Sequence, residues 1–278
     1  METKNQSKIC LVTGASSGIG HATALELLRG GYTVYGVARR VEKMADIRAA
    51  GGYILPMDIA DEADIQRVVK TILDEQGRID VLVNNAGIGI HGAIEDIPIE
   101  QARHLFEVNL FGTARLTQLV LPHMRKQGEG TIINVSSIGG EIALPLGSWY
   151  YASKHALEAF SDTLRQEVKQ FGIRVVVIQP GIIKTEFEKE TPQELRATSG
   201  QGAYAKMAEG MAKRAEESLG AGSKASDPSV VAQTVHKVIE SEKPKPRYAV
   251  GYVAGTLLRL NKFLPVRVFD SMVTDRFE

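Results

Sequence analysis

Residues 9–20, ICLVTGASSGIG, join a short β-prone apolar run to three glycines, Gly14, Gly18 and Gly20. A periodic helical segment, 21–29, follows and ends at Gly30-Gly31. Strand, glycine turn and helix in that order make a cradle for an anion. Gly14 permits a tight turn, Gly18 lets backbone approach a pyrophosphate, and Gly20 allows the helix to pack closely on the strand. The helix N-terminus adds free N–H groups. The spacing is G-x-x-x-G-x-G, not the commoner G-x-G-x-x-G. Outward from this stretch, β-prone runs at 33–38, 53–57, 81–83, 131–135 and 174–179 alternate with helical patterns at about 62–75, 101–125 and 149–171. A last strand is expected around 248–250. This alternation predicts an α/β fold: one Rossmann-like, doubly wound parallel sheet with helices on both faces and ligands at the C-terminal strand ends.

The second run ends in Arg39-Arg40. A site selective for NAD wants an acid near this strand end to take the ribose 2′-hydroxyl. Gly36, Val37 and Ala38 supply none. Two arginines suit a 2′-phosphate instead, with Arg39 the better placed and Ser16 a second donor. Each charge-assisted hydrogen bond contributes about 1.5–3 kcal/mol, or roughly 10- to 150-fold in affinity.

The stretch 136–154, SSIGGEIALPLGSWYYASK, carries the chemistry. In a helix from Trp149, Tyr150 and Lys154 lie one turn apart on one face. An ammonium about 4 Å from the phenol lowers its ionisation cost by up to about 4 kcal/mol at an effective dielectric of about 20. That makes the phenol a usable general acid or base. Spacing does not choose Tyr150 over Tyr151, since both reach Lys154.

Resemblance makes that choice. Ser137, Tyr150 and Lys154 resemble the Ser…Tyr-x-x-x-Lys signature of the short-chain dehydrogenase/reductase family, which assigns catalysis to Ser137 and Tyr150, not to Ser136 and Tyr151. The glycine loop is similar to the family's T-G-x-x-x-G-x-G, residues 84–87 to its N-N-A-G, Asn109 in V-N-L-F-G to its fourth catalytic position, and residues 180–185 to its P-G-x-x-x-T. The likeness covers about residues 8–250 and implies reversible hydride transfer between NADP(H) and a ketone, aldehyde or secondary alcohol. It implies that Tyr150 moves the proton and Ser137 orients the substrate oxygen. Lys154 lowers the phenol's pKa and holds the nicotinamide ribose. Asn109 distorts its helix and holds a water in the proton relay. The implied cofactor contacts are Gly14, Ser16, Ser17, Gly18, Ile19 and Gly20 at the phosphates, with Arg39 and Arg40 at the 2′-phosphate. Asp58 and Ile59 would meet the adenine, Asn85, Ala86 and Gly87 the strand end. Pro180, Gly181, Ile183 and Thr185 would hold the carboxamide. Asn84 and Asn85 equally suit a structural role, tying neighbouring strands.

With 278 residues and 44% hydrophobic content, the chain suffices for a single domain, 1–278. Lysine plus arginine (33) equals aspartate plus glutamate (33), which argues against a nucleic-acid partner. The one cysteine, Cys10, lies in an apolar run and reads as buried. The six histidines show no ligand spacing, so no metal is expected. A polar N-terminus and the lack of a membrane-length apolar run suggest a cytoplasmic protein with membrane association unlikely, and family analogy suggests a homodimer or homotetramer. Residues 186–226 break the alternation and read as a helical substrate lid with an apolar stripe of Tyr204, Met207, Met211, Ala215 and Leu219. Residues 251–278 form an apolar extension with too much hydrophobic surface to leave in water. Within the family, the Asp227-Pro228 helix start, P-K-P-R-Y (244–248) and this tail look most like hydroxysteroid- and retinol-dehydrogenase-like members. Ile138, Leu144 and Trp149, with Ser137 and Tyr150, are the expected substrate contacts, and their apolar character suits a bulky lipophilic carbonyl compound. His91 and Glu141 read as solvated rim positions. The rival reading is a non-catalytic NADP(H)-binding regulatory protein on the same scaffold.

Overall fold

The computed structural model describes residues 7–220 and 222–274. The polar stretch at residues 1–6 and the last four residues of the apolar extension, 275–278, lie outside them. Seven strands form one parallel sheet in the order β3-β2-β1-β4-β5-β6-β7. They are β1 (Ile9–Thr13), β2 (Thr33–Ala38), β3 (Tyr53–Pro56), β4 (Val81–Asn84), β5 (Gly130–Val135), β6 (Ile173–Pro180) and β7 (Arg247–Val250). The order reverses between β1 and β4, so the two loops that leave their C-terminal ends part company there and open a crevice.

Buried on both faces, the strands send successive side chains to opposite cores. On one side Ile9, Leu11, Ile132 and Val175 meet three helices: α3 (Glu62–Gln76), α5 (Thr113–Gln127) and α6 (Ser148–Val168). On the other, Cys10, Val12, Ile133 and Val176 meet α1 (Gly18–Arg29), α2 (Ala45–Ala49) and α9 (Ser229–Glu240). Helix boundaries follow local chemistry. The Asp61 side chain caps α3 by accepting from the Asp64 N–H (2.9 Å), and Gly77, at φ 73°, ends it in the left-handed conformation. The Asp227 carboxylate takes the Ser229 N–H (2.9 Å) at the start of α9.

Three segments depart from the expected pattern. The helix expected over 101–125 is broken: α4 (Ile99–Phe106) gives way to a π-helical turn, Glu107–Gly112, before α5. The extra residue per turn is accommodated where Gly112 lies against the backbone of Ile59, a contact that leaves no room for a Cβ. Residues 186–226 hold a helix pair, α7 (Glu186–Ser199) and α8 (Ala205–Leu219). The buried face of α8 is Ala208 and Ala212, packed with Leu195, Ala93 and Leu146, while Tyr204, Met207 and Met211 flank it. Alanines let the two helices approach closely, so the stripe read from the sequence is the margin of the contact rather than its centre. The tail forms α10 (Ala254–Phe263) and α11 (Val266–Thr274). Its apolar surface is not covered as expected: Phe263 and Val266 are 77% and 75% exposed, and among the tail's described residues only Ala254 and Phe269 are buried. Among the described residues no helix is long and apolar enough to cross a membrane.

Candidate active site

The strand ends on either side of the crevice are tied by the motif residues themselves. Thr13 Oγ1 accepts from the backbone N–H groups of Asn85 (3.0 Å) and Ala86 (2.9 Å), and Asn85 Nδ2 donates to the Thr13 carbonyl (3.0 Å). Asn84 Nδ2 donates to Asn134 Oδ1 (2.9 Å) and Thr117 Oγ1 (3.2 Å), joining β4 to β5 and α5. The first two residues of N-N-A-G are therefore knitting groups, and Ala86 and Gly87 form the floor beside them. Gly14 has φ 67°, and a Cβ at Gly20 would collide with Asn85 and the Gly14 carbonyl. Only glycine permits this turn and this approach.

The cavity at the strand ends is lined by the glycine loop, Arg39, Arg40, Asp58, Ile59 and the segment around Gly181–Thr185. It is also lined by Ser137, Tyr150 and Lys154, so the phosphate cradle and the candidate catalytic groups share one space. The Ile182 carbonyl and Lys184 N–H both bond Ser226, which turns the backbone groups of Ile183 the other way. At the rim, Arg40 is held by Ser17 Oγ (3.2 Å) and by Glu186 (3.0 Å), which Lys43 also pairs. Among the described residues Arg39 makes only a 4.0 Å contact with Asp58, and it is 63% exposed, which leaves its guanidinium the freer of the two.

Asn109 lies in the π-helical turn, buried. Its side chain clamps the strand-end loop: Oδ1 accepts from the Ile88 N–H (2.8 Å), while Nδ2 donates to the Ile88 carbonyl (2.9 Å) and to Ser153 Oγ (3.0 Å). On α6, Tyr150 hydrogen-bonds Ser137 and lines the cavity. Tyr151 instead seats its ring against Gly139 and Gly147. Lys154 is buried, donates to the Val135 carbonyl (3.1 Å), and its Nζ lies 5.9 Å from the Tyr150 ring centre.

Electrostatics here differ from the sequence reading, in which Lys154 draws the phenol's pKa down. Burial is the larger effect on both groups. It raises Tyr150 above the ordinary tyrosine value; the bond with Ser137 opposes that rise and Glu188 adds to it. Burial lowers Lys154 to about 8, against which Glu158 works.

Several expected substrate contacts sit elsewhere. Trp149 packs with Ile97, Leu105 and Phe106 against α4 and does not line the cavity, nor do Ile138 and Leu144. Residues not singled out in the sequence line it instead. Phe187 and Glu188, the second and third residues of α7, line the cavity beside Ile88. The Phe187 ring lies 5.5 Å from that of Tyr150. His91 is not at a solvated rim: it is buried, 6.0 Å from the Tyr150 ring, with Nδ1 2.8 Å from Glu194. One signal for these residues was available, because a chain that has just passed Thr185, at the cavity's edge, must leave across the mouth of the site.

A family model described as short chain dehydrogenase matches residues 8–196. The chain belongs to the short-chain dehydrogenase/reductase family. A probable short-chain type dehydrogenase/reductase of Helicobacter pylori is 35% identical over 266 residues, covering 95% of this chain and 96% of its own. The 3-ketodihydrosphingosine reductase of Bacteroides thetaiotaomicron is 43% identical over 183 residues, 66% of each chain. Among solved structures, a short-chain dehydrogenase from Streptomyces avermitilis superposes with TM-score 0.79 at 35% identity, covering 91% of this chain and 92% of that one. The family is one of oxidoreductases, and its solved members take either nicotinamide dinucleotide. Actinorhodin polyketide ketoreductase carries NADPH (TM-score 0.73, 30% identity, covering 84% and 90%). The 3-ketoacyl-(acyl-carrier-protein) reductase of Brucella melitensis carries NADH (0.72, 26%, covering 86% and 94%).

Proposed function

We propose that this family member is an NADPH-dependent reductase of lipophilic ketones or aldehydes, with the corresponding secondary alcohols as products. The observation that carries the reading is the shared cavity, in which Ser137, Tyr150 and Lys154 face the same space as a glycine cradle with an arginine pair at its rim. The residues present fit a dinucleotide: Gly14 and Gly20 leave a cradle that a Cβ would fill. Glycine-loop N–H groups at the start of α1 would hold the pyrophosphate, Arg39 the 2′-phosphate, and Lys154 the ribose hydroxyls. NADPH, when bound, supplies the hydride. Tyr150 Oη donates the proton to the carbonyl oxygen, which Ser137 Oγ orients. Lys154 stabilises the phenolate that the transfer leaves, and Asn109 fixes the floor at Ile88. The 3-ketodihydrosphingosine reductase likeness and the apolar walls at Ile88 and Phe187 support a lipophilic substrate. We extend the proposal to a cytoplasmic homo-oligomer, dimer or tetramer, in which the first turn of α7 serves as the lid. A binding-only regulator has no use for a proton donor and an ammonium in the same cavity.

Two measurements test this. Arg39→Ala is expected to weaken NADPH binding by about 10- to 100-fold and to leave NADH affinity nearly unchanged. An unaltered ratio of the two dissociation constants would remove Arg39 from the site. The second is a pH profile. The relay needs Lys154 as the ammonium, and that group is protonated below about 8. Reduction, followed as kcat/KM for a ketone, should therefore be maximal below that value and fall as pH rises through it. A profile flat to pH of about 10 would mean that Lys154 is not in the relay.

A further inference from the structure

A contact outside the mechanism joins opposite sides of the crevice. Glu186, the first residue of α7, places Oε2 3.0 Å from Arg40 Nη2 and Oε1 3.0 Å from Lys43 Nζ. Arg40 and Lys43 follow β2, and Arg40 Nη2 also reaches Ser17 Oγ (3.2 Å) just before α1. Glu186 follows β6. In the sheet, β1, β4 and β5 stand between β2 and β6, so those two strands are four spacings, roughly 19 Å, apart. The segment after β6 therefore arches back past the C-terminal ends of three strands before it meets Arg40 and Lys43. Thr185, beside Glu186, comes so near the glycine loop that a Cβ at Gly18 would stand 3.0 Å from Thr185 Cγ2.

The arch meets the cavity between its two ends. Arg39 and Asp58 line it where β2 and β3 finish, and Ser137, Tyr150 and Lys154 line it beyond β5. The glycine loop, at the end of β1, lines it between these groups, and Thr185 and Glu186 line the same space. A dinucleotide with its 2′-phosphate at Arg39 and its nicotinamide at Tyr150 runs along that line, so its pyrophosphate passes beneath the Glu186 contact. Lys43, and after it Arg40, hold the Glu186 carboxyl below the usual carboxylate range. The three side chains are 42–45% exposed, so water screens the pairs and the contact opens readily. Lys43, unlike Arg40, is not among the residues that line the cavity.

We infer that Glu186 is a cofactor-retaining residue, whose ion pairs with Arg40 and Lys43 close a clasp over the pyrophosphate and set the rate at which a dinucleotide enters and leaves. This rests on the dinucleotide reading of the cavity and gives a kinetic role to a side chain outside the chemistry. All of the clasp's partners are the chain's own side chains, so it closes on an empty cavity as well as on an occupied one. It therefore slows entry and exit alike and leaves the dissociation constant nearly unchanged. A carboxylate that merely repels phosphates behaves differently: it slows entry, speeds exit and weakens binding, more for NADPH than for NADH. The clasp also pins the first turn of α7, which holds Phe187 5.5 Å from the Tyr150 ring while the dinucleotide is in place.

The test is stopped-flow binding of NADPH and, separately, of NADH to the purified full chain, followed by nicotinamide fluorescence. Glu186→Gln should raise the association and dissociation rate constants together, by about three- to tenfold for either dinucleotide, and change the dissociation constant by less than about twofold. Lys43→Met should also speed both rates, and should add nothing in the Glu186→Gln background, because it acts only through Glu186. Both variants should melt within about 2 °C of the wild type, since exposed pairs contribute little to the fold. Unchanged rates in Glu186→Gln, or slower dissociation with tighter NADPH binding, would overturn the clasp and leave the cofactor reading standing. Additive effects of the two substitutions would overturn it as well. Where NADH alone binds, the NADPH preference fails and the same comparison with NADH decides the clasp, because the pyrophosphate is common to both. A chain that binds neither dinucleotide overturns the cofactor reading, and the clasp with it.

Discussion

Tyr150→Phe should lower kcat/KM for ketone reduction by about a thousandfold while changing the NADPH dissociation constant by no more than about threefold. The substitution keeps the ring that packs against Phe187 and His91 and removes only the transferable proton and the bond with Ser137. A positioned general acid contributes roughly 10²–10⁴ in rate, and its loss appears in kcat and kcat/KM together because the interaction is made only in the transition state. Tyr151→Phe is the control. Its ring is seated against Gly139 and Gly147, away from the cavity, and the variant should stay within about threefold of the wild type. Should Tyr151→Phe be the dead variant, the placement of Ser137 beside Tyr150 has nothing to do with catalysis.

The largest effect on stability is expected at Arg247, on β7. Its Nε donates to Glu158 (2.9 Å) and its terminal nitrogen to Asp162 (2.7 Å), fastening the last strand to the helix that carries Tyr150 and Lys154. Glu158 is buried and takes its other bond from Gln179 (3.0 Å). Arg247 also holds the Asp162 carboxyl below the usual carboxylate range. Arg247→Met leaves a buried carboxylate with one neutral donor. It should cost about 3 kcal/mol, or roughly 5 °C in melting temperature for a chain of this size. Adding Glu158→Gln should recover much of the loss, since the uncompensated charge goes with it. Additive losses in the double variant would mean that the two side chains do not act as a pair.

What the sequence revealed, and what it withheld, divides along chain locality. The glycine loop, N-N-A-G and the Ser137–Lys154 stretch sit where a strand ends, so the alternation of runs is enough to place them at one edge of the sheet. Asn109 carried a motif and, through the resemblance, a distorted helix; the contact made beside that π turn, Gly112 against Ile59 some fifty residues away in the chain, was not legible. Trp149 looked like a pocket wall because it adjoins Tyr150, yet neighbours on a helix point about 100° apart, and Trp149 turns to α4. His91 and Glu188 were passed over for the complementary reason. His91 reads as rim until the packing of α7 across the crevice buries it, and Glu188, half-buried at the start of that helix, drew no reading. The same holds for Arg247, whose partners lie on a helix more than eighty residues earlier. The direction of the Tyr150 and Lys154 pKa values was also beyond the sequence, because burial, not pair spacing, sets it.

The most direct test of the account follows the hydride itself. The enzyme would be incubated with a long-chain ketone and NADPH carrying deuterium at the transferred position of the nicotinamide, and the alcohol analysed by mass spectrometry. The account predicts an alcohol heavier by one deuterium at the carbinol carbon, formed by the wild type and about a thousandfold more slowly by Tyr150→Phe. NADPH bound tightly with no deuterated alcohol from any ketone or aldehyde in a broad panel, or deuterium transfer undiminished in Tyr150→Phe, would contradict it.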